Sequence, residues 1–163
     1  MRVPATLKKP LVRKLLIALG ILTLLMGVVS EPWLLFMNKS VREASPAGEV
    51  TAHALLISHE HDTSGTVQVL EAPDGTRTLR LENLSTSLGP DVRIWLSDQP
   101  VQAGIGGWFA FDDGDHLDLG PLKGDQGDQN YAIPHNADLT KLGSVSLWCA
   151  RFHVSFGAAD LNS

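Results

Sequence analysis

TVQVLEAPDGTRTLRLENL, residues 66–84, carries two strands and the turn between them. Pro73 presets φ for a turn, and Gly75 accepts the positive φ that closes it. On either side the apolar residues alternate, Val67 and Val69 before the turn, Leu79 and Leu81 after it. Such period-2 alternation marks half-buried strands, so the segment predicts a hairpin with those four side chains inward and Arg77, Arg80 and Glu82 outward.

Outward from this hairpin the pattern stays β. Residues 50–57 form a candidate strand, followed by a polar loop over 58–65. A turn at Leu88-Gly89-Pro90-Asp91 leads into 92–96, where Val92, Ile94 and Leu96 share a face. Residues 108–111, 116–119 and 131–133 are short strand candidates, 137–142 a helical turn, and 144–156 the longest strand. Strands at this spacing with little helix predict an all-β fold, an antiparallel β-sandwich of about 7–8 short strands.

The N-terminus is of another kind. Arg2, Lys8, Lys9, Arg13 and Lys14 precede an uncharged apolar run from Leu15 to Val29, and Trp33 to Met37 resumes it. Helical residues rise about 1.5 Å each against a hydrocarbon core of roughly 30 Å, so 15–29 alone is short and the extension completes the span. The expectation is one transmembrane signal-anchor with a cytoplasmic basic tip over 1–37, contacting the membrane through 15–37; a cleaved export signal is the alternative. Residues 38–49 read as a polar linker and 50–163 as the folded domain, placed on the extracytoplasmic side. Beyond residue 36 the chain is strongly acidic, which argues against nucleic acid as a partner.

Cys149 is the one cysteine, so it has no partner for an internal disulfide although the domain is expected in an oxidising compartment. Read as a single strand, 144–156 sorts into two rows. Trp148, Ala150, Phe152, Val154 and Phe156 form the expected core row; Val145, Leu147, Cys149, Arg151, His153 and Ser155 turn from apolar to polar. Cys149 then falls where packed interior meets solvent. Arg151 would stand about 7 Å away on the same face and favour the thiolate by roughly 2 kcal/mol, while burial opposes it. A half-buried packing cysteine is the plainer reading.

Several runs taken together resemble the DM-13 domain family, also called electron-transfer DM-13. They are Ser64-Gly65-Thr66, Arg77 to Leu84, Gly89-Pro90-Asp91-Val92 with Trp95-Leu96-Ser97, Leu122-Lys123-Gly124, Gly127-Asp128-Gln129-Asn130-Tyr131, Val145 to Cys149, and Phe156-Gly157-Ala158-Ala159 with Leu161. The first strand departs from the family, with Thr51 to Leu55 where many relatives carry a Gly-Xaa-Phe segment. The resemblance implies a β-sandwich-type module of the short anchored bacterial type. It also implies a redox role for Cys149, as a bare thiol or as the ligand of a prosthetic group such as haem; on the strand reading above, Arg151 would bias that thiol toward thiolate, and Trp148 and Phe152 would fix its strand. Gly89, Pro90, Asp91, Lys123, Gly124, Asp128, Tyr131 and Gly157 would be its structural positions.

Other chemistry finds little footing. Blue copper fails because Cys149 and His153 would lie about 13 Å apart on one strand and no methionine follows Met37. His59 and His61 with Glu60 and Asp62 are weak metal candidates in what reads as a solvated loop. Asp112, Asp113, Asp115 and Asp118 lack the ligand order of a calcium loop. No hydrolase, transferase or nucleotide-binding motif is present. Two functions follow: a redox module centred on Cys149 with an unidentified protein redox partner, or a non-catalytic binding or adhesion module presenting loops 58–65 and 104–118.

Overall fold

The computed structural model describes residues 12, 14–20 and 38–162. The chain divides into two compact units, Met1–Trp33 and Leu34–Ser163. In the first, Val12 and residues 14–20 are helical. Among the described residues no helix is long and apolar enough to cross a membrane; most of the anchor expected over 15–37 lies outside them.

The second unit is mostly β, its described residues forming ten strands in two five-stranded sheets. One sheet contains β1 (Ser40–Arg42), β2 (Glu49–Leu55), β4 (Ser64–Glu71), β5 (Arg77–Ser85) and β8 (Gln126–Ile133), ordered β1-β8-β5-β4-β2. The other contains β3 (Ile57–Ser58), β6 (Val92–Ser97), β7 (His116–Pro121), β9 (Ser144–Cys149) and β10 (Val154–Asp160), ordered β3-β10-β9-β6-β7. The strand count exceeds the expected 7–8 because two very short pieces, β1 and β3, pair at sheet edges. Pairing is antiparallel except between β1 and β8, which run parallel.

The β4–β5 hairpin matches its reading: Val67 faces Leu81 and Val69 faces Leu79 across the ladder, and all four are fully buried. Val92, Ile94 and Leu96 enter the same core from the opposite sheet. Arg80 does point to the outer face, yet it is buried, because Glu43 and Asn130 take its Nη1 and Asp128 lies beside its Nη2.

Two expected elements are replaced. Residues 108–111 are not a strand: Gly104, Gly106 and Gly107 permit a single helical turn, Ile105–Trp108, closed by Gly107 N–H donating to Gly104 O. The expected strand 144–156 is a hairpin, with residues 150–153 turning between β9 and β10 and Phe152 N–H donating to Cys149 O. His153 takes φ 52°, a left-handed conformation unusual for a non-glycine residue, which brings the chain back. The break reassigns both rows. Val145, Leu147 and Cys149 face the inter-sheet core, while Trp148 faces outward into a second cluster with Trp95, Phe111 and Ala158. Phe152, expected in the core, is 52% exposed at the turn.

Residues 38–49, expected as a linker, include β1, and Glu43 beyond it accepts from Lys123 Nζ and from Asn130 N–H. Gly124 and Gly127 make room for that segment: a Cβ on either would stand 2.2 Å from Lys39 O or 2.0 Å from Val41 O.

Candidate functional site

Cys149 is the last residue of β9, facing Val92 of β6 and Val154 of β10 in the ladder. It is fully buried, and its Sγ donates to Pro90 O at 3.3 Å. Burial pushes the thiol pKa up; the Phe152 and Arg151 N–H groups and the Arg151 charge pull it down, and Asp91 adds to the rise. Desolvation wins over the expected pull of Arg151, whose exposed position in the turn leaves its charge in water. Cys149 is therefore not at a boundary between interior and solvent; it is a neutral, enclosed thiol.

The turn above it explains three residues of the resemblance. A Cβ on Gly89 would stand 2.7 Å from the Phe156 ring, Pro90 supplies the carbonyl for the thiol, and Asp91 adopts φ 66° while its carbonyl accepts from Ala150 N–H. Lys123, Gly124, Asp128 and Tyr131 instead gather around β8. Lys123 Nζ donates to Glu43 and Asn130 O, Gln129 Nε2 to Gly124 O, and Tyr131 Oη to Gln129 Oε1; Asp128 accepts from Asn83 N–H. Gly157 lies under Thr63, with room for a hydrogen only.

His59 and His61 diverge. His59 is buried, its Nδ1 2.9 Å from Ser155 Oγ and its Nε2 3.1 Å from Gln102 O. Ser146 Oγ donates to Ser155 Oγ. A neutral ring protonated on Nε2 donates to Gln102 O, and the one Ser155 hydroxyl proton then lies between His59 Nδ1 and Gly157 O. His61 packs its ring on Phe156 at 3.8 Å and pairs with Glu60. Among the described residues no group of three or more His, Cys, Asp or Glu could hold a metal ion. Asp112, Asp115 and Asp118 pair separately with His153, Lys141 and Arg93.

Burial holds the His59 pKa below its ordinary value, opposed by the bond to Gln102. The unfolded chain therefore takes this proton first, and stability present above about pH 6.5 is lost as pH falls from there through the folded value. Urea titrations should show a slope of up to about 1.4 kcal/mol per pH unit in that window, flattened in His59→Gln. An unchanged slope in that variant would remove His59 as its source.

The sequence reading missed the outer cluster. Trp95 stacks on His116 at 3.8 Å and 9°, and on Trp148 at 5.2 Å and 25°. Trp148 meets Phe111 at 6.4 Å and His153 edge-on at 6.5 Å. A signal existed: Trp95 alternates against Val92, Ile94 and Leu96, so it had to face away from the core, and an outward indole needs a cover. The apolar run 108–111 supplies it through Phe111. The strand geometry invoked to separate Cys149 from His153 does not apply either; they part because one points into the core and the other is 73% exposed beside Asp112.

The sequence matches the family described as electron transfer DM13 over residues 55–161. No curated protein matches, and no solved structure does.

Proposed function

The chain belongs to the electron transfer DM13 family, and from that membership, with the basic tip and apolar run of residues 1–37, we propose a membrane-anchored, exported redox module in which Cys149 is the reacting group. The observation that carries this reading is where the enclosed sulfur sits. Cys149 ends β9, and after Ala150 the next three side chains, Arg151, Phe152 and His153, are exposed. One turn separates the thiol from solvent. Closed, it is neutral and shielded, which accounts for a free cysteine surviving in an oxidising compartment. Opened, it would be deprotonated and attack a disulfide of a partner protein: the new S–S bond forms as the partner's breaks, and the departing thiolate takes a proton from water. With no second cysteine in the chain, a partner thiol must resolve the mixed disulfide.

Haem, the other role implied by the family resemblance, does not fit. The sulfur is packed on all sides and donates its proton to Pro90 O, with no open face for a macrocycle. The same enclosure favours the second reading, a binding module in which Cys149 is packing.

Labelling of the full chain by an aromatic disulfide separates the two. Local opening predicts a slow native-state rate that rises with pH and does not change in Leu79→Ala, whose core lesion costs about 2–5 kcal/mol. A rate that rises with that destabilisation requires global unfolding and leaves the packing role. The anchor is tested in the same preparation: retention in membranes after an alkaline wash is expected, with the domain open to protease from the outer side.

A further inference from the structure

We propose that the stacked Trp95–Trp148 pair is a one-electron oxidation site, reached from the surface through His116 at one end and His153 at the other. The proposal rests on the redox reading of the domain but not on the thiol.

The geometry forms a continuous ring path across the outer face of one sheet. His116 is exposed and lies flat on Trp95, Trp95 overlaps Trp148, and His153 meets Trp148 edge-on with most of its own ring in solvent. Electron tunnelling falls steeply with the gap between rings, so contacts of this kind make stations, whereas isolated indoles do not. Phe111, fully buried, closes the pair from above together with Val101 and Ala150.

Packing alone accounts poorly for one atom. Trp95 Nε1 is buried and has no hydrogen-bond partner among the described residues. A buried indole N–H normally finds an acceptor, and leaving one without costs free energy that phenylalanine at the same place would not. For electron transfer the missing acceptor has a use. An oxidised indole usually sheds its Nε1 proton to a neighbouring base and must recover it before it can be reduced. With no acceptor at hand, Trp95 keeps that proton.

The step balances without proton movement. An outer-sphere one-electron oxidant arriving beside His116 or His153 is reduced by one electron, and the pair becomes a radical cation. A one-electron reductant at the same surface returns the electron. His116 and His153 bridge the rings to solvent and are not themselves oxidised. Trp148 precedes Cys149 in β9 on the opposite face of the strand, so the thiol is a second source for the returning electron, its proton passing to water through the opened 150–153 turn as the thiyl radical forms.

The test uses the full chain with Trp33→Phe and Trp108→Phe, which leaves Trp95 and Trp148 as the only indoles. A photogenerated ruthenium(III) polypyridyl is the oxidant, and transient absorption distinguishes the indole radical cation from its deprotonated form. The expected result is a cation living several-fold longer than that of free N-acetyltryptophanamide, with yield falling several-fold in Trp95→Phe. His116→Ala, at an exposed position, should slow entry several-fold while far-ultraviolet circular dichroism and the urea midpoint show the sheets intact. A signal that deprotonates at the free rate, or a yield the same in Trp95→Phe and His116→Ala as in the parent, overturns the proposal. Cys149→Ser separates the two readings. An equal cation yield there keeps the pair as the site whatever the thiol does, and a longer cation lifetime there identifies Cys149 as the donor of the returning electron.

Discussion

Trp148→Ala is expected to cost the domain about 3–5 kcal/mol, against a total of roughly 5–15 kcal/mol for a domain of ordinary stability. The side chain is fully buried although it points away from the inter-sheet core. Truncation removes the stack on Trp95 and the edge contact with Phe111 together. It also leaves the 98–115 cover relying on polar contacts, His59 with Gln102 O, Ser144 Oγ with Gln99 O, and the Asp112–His153 and Asp115–Lys141 pairs. Cover and sheet should loosen together, so near-ultraviolet circular dichroism should weaken even where the variant stays folded. Phe152→Ala is the control. Were residues 144–156 one strand, the two aromatics would share a core row and cost alike; with Phe152 half exposed on a turn, its loss should stay near 0.5 kcal/mol or below. Equal urea midpoints for the two variants would contradict the hairpin.

That contrast shows where the sequence is legible. The β4–β5 hairpin was readable because its turn is chemical, Pro-Asp-Gly, and its flanking alternation leaves one register with four apolar residues inside. The β9–β10 turn carries no such mark. Ala150-Arg151-Phe152-His153 contains no Gly, Pro or Asn, and alternation simply runs through it. Only the tertiary limit on strand length, with His153 forced into positive φ, ends the strand there. The error then propagates: a strand continued through the turn keeps Cys149 next to Arg151 and Phe152, whereas the turn sends the sulfur inward and those two outward. Gly89-Pro90-Asp91 was recognisable as a turn, but its place over Cys149 needed the β6–β9 pairing, which nothing local specifies. The outer Trp95–Trp148 stack was hidden for the same reason, being a diagonal contact between strands far apart in the chain.

Gly127→Val should be the most damaging change outside the two cores. Gly127 has φ 96°, which L side chains rarely adopt, and its Cβ would stand 2.0 Å from Val41 O. The backbone strain alone is about 1–3 kcal/mol. Because the obstructing atom is backbone, no rotamer change relieves the contact, and β1 must leave β8. With it go the partners that the segment supplies: Val41 alongside Gly127 in the ladder, Glu43 for Lys123 and Asn130, and the Glu43 carbonyl for Arg80. Arg80 would then be a buried guanidinium short of an acceptor, a further cost beyond the strain. The rest of the sandwich does not depend on β1, an edge strand, so the prediction is partial. A loss of about 2–4 kcal/mol in urea unfolding should accompany a shift of the first protease-resistant residue from near 38 to near 48. A strand that serves only as a linker would give neither effect, since a flexible tether has no ladder to lose and is cut in the parent as readily as in the variant.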